Sequence, residues 1–116
     1  MSTSDKREVD TLRITSVAAP GGVVLQMVGE LDLSTIAVFV AAFDDAVDGE
    51  AGTIELDMAD VSFIDSSGIG AYVAGFRRAH ARGCRVSISE QSAFVQRVLE
   101  LSGVEEALAR EAADNT

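Results

Sequence analysis

The stretch "VSFIDSSGIGAYV", Val61 to Val73, takes a hydrophobic strand directly into a helix and separates the two with polar residues. The second half of the stretch begins a run of apolar residues at helical spacing, which predicts a helix with one core face: Ile69, Tyr72, Val73 and Phe76. Asp65 or Ser66 suits the N-cap position of that helix, because short polar side chains accept hydrogen bonds from its first free amides. Two adjacent hydroxyls, those of Ser66 and Ser67, therefore lie at the N-terminus of a helix, where a strand ends.

The residues before this stretch predict two strands, a helix and a third strand. The alternation of "TLRITSV" (11–17), the turn signal "APGG" and the apolar run "VVLQMVG" (23–29) together indicate a β-hairpin. A helix then starts at Ser34 or Thr35, either of which can be its N-cap, and ends near Gly49. "TIELDM" (53–58) alternates again and predicts the third strand.

The residues after the stretch complete a small α/β domain. Gly83 can end the second helix as a left-handed C-cap, and "CRVSIS" (84–89) alternates as a fourth strand. A third helix lies between Ser92 and Gly103, and a short helix follows over residues 104–110. Strands joined through helices run parallel, so this order predicts a mixed sheet of about four strands with an opening antiparallel hairpin and helices mainly on one face.

Composition limits the domain organisation and the partners. The 116 residues suit one domain, which we assign to residues 11–110, with flexible polar tails over 1–10 and 111–116. The formal net charge of -10 argues against nucleic acid, whose binding needs Lys and Arg. We find no apolar run that could span a membrane and no secretory signal, so we expect a cytoplasmic protein without direct membrane contact. The single cysteine, Cys84, excludes an internal disulfide and gives no zinc site.

Catalytic chemistry lacks the residues that it needs. His80, the single histidine, lies about 20 Å along the helix from Ser66 and cannot serve as the base for a serine nucleophile. The one lysine, Lys6, lies outside any glycine-rich loop, which excludes a Walker-type phosphate site and argues against a response-regulator receiver. We therefore expect no catalytic residue and no enzyme.

Carboxylates follow two strands that should be neighbours. Asp57, Asp60 and Asp65 come after the third strand, while Glu30 and Asp32 come after the second. The carboxyl ends of parallel strands share one edge of a sheet, so these two loops should lie side by side. No dedicated calcium-loop spacing is present, and we expect no metal site.

A serine in the first turn of a helix is suited to phosphorylation. Free backbone amides and the positive end of the helix dipole favour negative charge there. We expect Gly68 and Gly70 to leave the approach to the hydroxyls free of side chains. Plain helix capping by Asp65 and its neighbours explains the same residues without a switch, and both interpretations stay open on the chemistry alone.

Three segments in this order resemble the STAS domain family, specifically the bacterial anti-sigma factor antagonists. They are "VGELDLST" (28–35), "VSFIDSSGIGAYV" (61–73) and "GCRVSISEQSAFVQRVLELSGV" (83–104), and the resemblance covers Leu12 to Leu108. It implies a non-enzymatic protein that frees a sigma factor by binding its anti-sigma factor.

The resemblance also implies the site and its partners. Ser67 would be phosphorylated by an anti-sigma factor that is a serine kinase, and a metal-dependent serine phosphatase would reverse the modification. ATP and magnesium would belong to the kinase, so the protein itself needs no cofactor. Asp65 would orient the serine hydroxyl and Asp32 would lie on the adjoining docking surface. The partner-binding and phosphosite environment then comprises Asp32, Leu33, Ser34, Thr35, Asp65, Ser66 and Gly68.

The family often has a histidine or another polar residue where this chain has Leu33 and Ser34 after "GELD", and this departure leaves the identity of the kinase open. We expect a monomer. Two alternatives remain: a STAS subunit of a lipid-transport or stress-signalling assembly, and a small-molecule or nucleotide-binding module with its ligand near Asp32, Asp65 and Ser67.

Overall fold

One mixed sheet forms the framework of the protein. The computed structural model describes residues 4–9 and 11–114, and within them the strand order is β1-β2-β3-β4-β5. The strands are β1 (Ser4–Val9), β2 (Leu12–Ala19), β3 (Gly22–Leu31), β4 (Thr53–Ile64) and β5 (Arg85–Gln91). β1, β2 and β3 pair antiparallel in succession, while β3, β4 and β5 pair parallel. The predicted fold class, a small α/β domain with an opening hairpin, is confirmed.

The sheet gains an edge strand that the sequence did not indicate. Residues 4–9, predicted as part of a flexible tail over 1–10, pair with β2 in register from Ser4 opposite Val17 to Val9 opposite Leu12. The prediction is wrong there because an edge strand is held by its main-chain ladder, and charged side chains are common on such edges. Residues 1–3 and 10 lie outside the described part of the chain.

Four helices within the described residues cover one face of the sheet. They are α1 (Ile36–Asp48), α2 (Ser66–Ala81), α3 (Ala93–Ser102) and α4 (Val104–Asp114). α4 continues through residues 111–114, which were predicted as tail; residues 115–116 are not described. Its extension is fastened to α2, because the Arg77 guanidinium donates from Nε to Glu111 Oε1 at 2.7 Å and from Nη2 to Oε2 at 3.0 Å.

β4 is twice as long as predicted. The prediction stopped at Met58 because the alternation of buried and exposed residues is interrupted after that residue. Residues that face the helices recur first at every second position and then at every third, and all are at most 3% exposed: Ile54, Leu56, Met58, Val61 and Ile64. Opposite β3, the register shifts once between Gln26 and Val28 and again between Gly29 and Glu30. β4 carries one extra residue at each shift, as in a β-bulge.

This extension changes the position of two predicted loop carboxylates. Asp57 and Asp60 lie within β4, paired in register with Gln26 and Val28, rather than after the strand. Only Asp65 follows it. Glu30, predicted to follow the second strand, likewise lies within β3, and only Asp32 follows that strand. At the end of the pair, Leu31 lies opposite Ile64, so the loop that carries Asp32 and the loop that carries Asp65 start side by side. The prediction that these two loops are neighbours is confirmed.

Candidate functional site

Asp65 is the N-cap of α2, as its sequence position predicted. Its backbone is extended, with φ -111° and ψ -173°, and its Oδ1 accepts a hydrogen bond from the Gly68 amide at 2.9 Å. The Ile69 amide donates to the Asp65 carbonyl at 3.0 Å and begins the helical ladder. One of the otherwise free amides at the helix N-terminus is thereby satisfied.

Asp65 also joins α2 to the loop after β3. Its second carboxylate oxygen, Oδ2, accepts from the Leu33 amide at 3.4 Å, and its own amide donates to the Leu31 carbonyl at 3.3 Å. Both contacts of the carboxylate therefore go to backbone amides, one on each side of the site. The orienting role towards a serine hydroxyl, which the resemblance implies for Asp65, stays a prediction.

Ser66 and Ser67 are the first two residues of α2. Ser66 is exposed and Ser67 is half-buried. Among the described residues, neither hydroxyl takes part in a hydrogen bond, so neither is committed to capping. A negative charge added here would meet free backbone amides and the positive end of the α2 dipole.

Thr35 joins the Asp32–Thr35 loop to the end of β3 through hydrogen bonds of its buried side chain. It is only 1% exposed, and its Oγ1 donates to the Glu30 carbonyl at 2.7 Å and accepts from the Asp32 amide at 3.0 Å. Thr35 is the N-cap residue of α1 by position, but its side chain makes no capping hydrogen bond to that helix. It therefore shapes the candidate partner-binding loop without reaching its surface.

We predict that Thr35→Val destabilises the protein by about 1–3 kcal/mol, because an isosteric methyl leaves the part-buried Glu30 carbonyl and Asp32 amide without their partner. Thr35→Ser, which keeps the hydroxyl, is the matched control and should lose less. Urea unfolding of the three proteins measures the difference. A Thr35→Val protein as stable as wild type would contradict the role assigned to this hydroxyl.

Asp32 and Ser34 form a local polar turn on the exposed side of the same loop. Asp32 Oδ1 accepts from the Ser34 amide at 2.9 Å and from the Ser34 hydroxyl at 2.7 Å. The Ser34 hydroxyl is the main reason why the pKa of Asp32 lies below its ordinary value, so this carboxylate is an anion at neutral pH. Leu33, between them, is 72% exposed.

The loop thus presents an apolar side chain beside a fixed negative charge. The structure brings Asp32, Leu33, Ser34 and Thr35 into one loop and ties that loop through Asp65 to the helix that carries the two serines.

Gly68 allows close packing of α2 on the sheet, which differs from the role predicted for it. A Cβ built on it would lie 2.5 Å from the Leu31 carbonyl oxygen and 2.9 Å from Ile64 Cγ1, so the first turn of α2 packs directly on the ends of β3 and β4. Gly68 is buried and does not open an approach to the hydroxyls; that prediction is wrong for this residue. It holds for Gly70, which is exposed and has no atom within 4 Å of such a Cβ.

Residues outside the motif were assessed for other chemistry. His80 lies in the last turn of α2 with its ring stacked on Phe76 at a centroid distance of 6.4 Å. Cys84 is a buried free thiol, and burial raises its pKa. Across residues 11–113, whose side chains the structure describes, no three carboxylate, histidine or cysteine side chains are grouped to hold a metal ion. None of the helices described is long and apolar enough to cross a bilayer.

The sequence analysis missed one pair of surface residues. The rings of Phe63 on β4 and Phe94 on α3 lie 5.5 Å apart between centroids, and the two residues are 38% and 41% exposed. Phe63 is within the quoted stretch, but a phenylalanine next to the buried Ile64 gives no indication of its face until the bulges of β4 are known.

A family model described as "Mlab, STAS domain" matches residues 7–110. The chain belongs to the STAS domain family.

Solved structures of anti-sigma factor antagonists are similar to this chain. An anti-sigma factor antagonist from Mycobacterium paratuberculosis has the same fold, with a TM-score of 0.77 and 18% identity over 86% of this chain and 85% of that one. The anti-sigma factor antagonist SpoIIAA in its unphosphorylated form is 25% identical over 95% of this chain and 96% of that one, with a TM-score of 0.65. The Bacillus cell fate determinant SpoIIAA in its phosphorylated form is 26% identical over 92% and 97%, with a TM-score of 0.60. No curated protein matches the chain by sequence.

Proposed function

We propose that this protein is an anti-sigma factor antagonist whose binding to its anti-sigma factor is switched off by phosphorylation of Ser67. The observation that carries the proposal is the Ser67 hydroxyl, which has no hydrogen bond among the described residues and lies in the first turn of α2 beside the Asp32–Thr35 loop. The similar SpoIIAA has been solved in both an unphosphorylated and a phosphorylated form. A phosphorylation switch in this protein is consistent with that pair of structures.

The geometry supports a switch that leaves the fold unchanged. A phosphoryl group adds about -1.5 to -2 charge and three acceptor oxygens, and a helix N-terminus accommodates both. The change would be felt at the surface, where Leu33 and Ser34 are exposed. The choice of Ser67 over Ser66 rests on the family resemblance, because both hydroxyls lie in the first turn.

The proposal assigns the chemistry of transfer to the partners. The anti-sigma factor would be the serine kinase and would bind ATP and magnesium, and a metal-dependent serine phosphatase would remove the phosphate. The protein itself would act without a cofactor, without nucleic acid and without catalysis, as suits a family of non-enzymatic regulators. A sigma factor works in the cytoplasm, so the proposal expects the protein there.

A second candidate is a STAS subunit of another complex, such as a lipid-transport assembly. The description of the matching family model names Mlab and not an anti-sigma factor antagonist, and this supports a second candidate. In such a subunit Ser67 would stay unmodified, and the Asp65 cap with the Asp32–Thr35 loop would serve as a constant docking surface.

Phosphosite mapping separates the two candidates. We expect mass spectrometry of the protein isolated from its own host to find one phosphoryl group, at Ser67, whose occupancy differs between growth and stress. Ser67→Ala should abolish the signal, whereas the matched variant Ser66→Ala should retain it. An unmodified protein in every condition would contradict the switch and favour the constant subunit.

A further inference from the structure

Phe63 and Phe94 form an exposed aromatic patch at the end of the sheet where Ser67 lies. The two rings, 5.5 Å apart between centroids, come from β4 and from the first turn of α3. Ser92, the N-cap of α3, brings them together, because its hydroxyl donates to the Val61 carbonyl at 2.6 Å and fastens the start of the helix beside β4. The patch is therefore fixed in place by the fold.

Carboxylates border this patch. Val61 and Ile64 are buried in the core, so Phe63 lies on the opposite side of β4, where its ring meets Phe94 at the start of α3. In the parallel register Phe63 is paired with Glu30, and two pairs back along the strands Asp60 is paired with Val28, which is itself 42% exposed. An apolar surface with an acidic rim complements an apolar side chain flanked by Lys or Arg.

The charge of the chain decides between possible occupants. A second copy would bring another formal charge of -10 against the same acidic rim, which disfavours self-association. A basic protein surface meets no such repulsion. The patch also adjoins the candidate site, because Phe63 precedes the Asp65 cap by two strand residues, about 7 Å.

We infer that the kinase that phosphorylates Ser67 also docks on the aromatic patch, with an apolar side chain bordered by basic residues. This inference rests on the proposed function and adds a recognition element to it. Partly exposed aromatic side chains become strong anchors when a partner removes them from water. Docking here would hold the kinase at this end of the sheet while its active site reaches the start of α2.

Steady-state phosphorylation tests the inference, with the kinase activity purified from host extract by following phosphate transfer from ATP to Ser67. We expect Phe94→Ser to raise KM at least about tenfold and to leave kcat unchanged, because docking is lost while the reacting groups are intact. Glu30→Gln, which removes no apolar contact, should raise KM about two- to threefold, as rim charges do. Thermal unfolding should show both variants folded.

Leu101→Ser is the matched control. Leu101 is 83% exposed on the same helix, seven residues and about 10 Å beyond Phe94, and its replacement should leave KM at the wild-type value. A wild-type KM in Phe94→Ser, or an equal rise in Leu101→Ser, would overturn the docking role while leaving Ser67 phosphorylation established. Concentration-dependent dimerisation that Phe94→Ser abolishes would assign the patch to a second copy and also overturn it. Wild-type protein that no host activity phosphorylates would instead refute the proposed function, and the docking role with it.

Discussion

Phosphorylated at Ser67, the protein is expected to bind its anti-sigma factor at least a hundredfold more weakly than the unmodified protein. A difference of about 3 kcal/mol is enough for this factor. The phosphoryl group would be added at the start of α2, which Asp65 joins to the loop of the ionised Asp32, on a chain whose formal net charge is already -10. A partner pocket shaped for a neutral hydroxyl would have to accept this charge and three more oxygens.

The fold itself should tolerate the modification. Free amides in the first turn of α2 and the helix dipole stabilise a negative group by about 0.3–1 kcal/mol at an exposed position. We therefore expect the melting temperature of the phosphorylated protein to equal or slightly exceed that of the unmodified one. Weaker binding with unchanged stability is what distinguishes a surface switch from partial unfolding.

Isothermal titration of the anti-sigma factor with the two forms measures the effect. Ser66→Ala, phosphorylated at Ser67, is the matched control and should lose affinity to the same extent as wild type. Added salt should recover part of the loss if charge repulsion contributes, because exposed charges are screened over about 8 Å at physiological ionic strength. Equal affinities of the two forms would refute the switch.

Local sequence signals predicted most of the fold, because most of the elements bury one regular face. The hairpin of β2 and β3 follows from period and turn residues alone. The predicted core face of α2 is only partly right: Tyr72 is buried, but Ile69, Val73 and Phe76 are partly buried, and the other buried residues of the helix are Gly68, Gly75 and Ala79. β4 was cut short at Met58 because its later buried residues, Val61 and Ile64, recur at intervals of three, which match no strand pattern. The cause is the pairing with β3, a long-range property that no short window contains.

For the candidate site, too, the sequence predicted the local features but not the contacts between distant segments. The Asp65 cap and the adjacency of the Asp32 loop follow from helix signals and from the shared edge of parallel strands. The contact between Asp65 and the Leu33 amide, and the burial of Thr35, depend on how two segments thirty residues apart meet. The prediction for Gly68 is wrong for the same reason, because the atom nearest to a Cβ added at Gly68 is the carbonyl oxygen of Leu31, on a distant segment.

Gly68→Ala should therefore destabilise the protein more than the addition of a methyl group at any other position of the candidate site. The new Cβ would lie 2.5 Å from a backbone carbonyl oxygen, and a backbone atom, unlike a flexible side chain, cannot turn away. Overpacking of this kind costs about 1–3 kcal/mol and sometimes more, which exceeds the gain of up to about 1 kcal/mol from replacing a helical glycine with alanine. A net loss of about 2 kcal/mol would lower the melting temperature by roughly 10 °C in a domain of this size.

Gly70→Ala, in the same helix turn, provides the matched control with the opposite sign. Its Cβ would meet no atom within 4 Å, so the helical preference of alanine should act alone and stabilise the protein by up to about 1 kcal/mol. Both variants are compared by thermal and urea unfolding. If Gly68→Ala proved as stable as Gly70→Ala, the start of α2 would not be seated on the ends of β3 and β4, and the placement of Ser67 against the Asp32 loop would lose its support. If Gly68→Ala destabilises the protein and Gly70→Ala stabilises it, the glycine of the "DSSG" motif is required by the packing that puts the serines at the sheet edge. A buried residue then determines where the two hydroxyls lie.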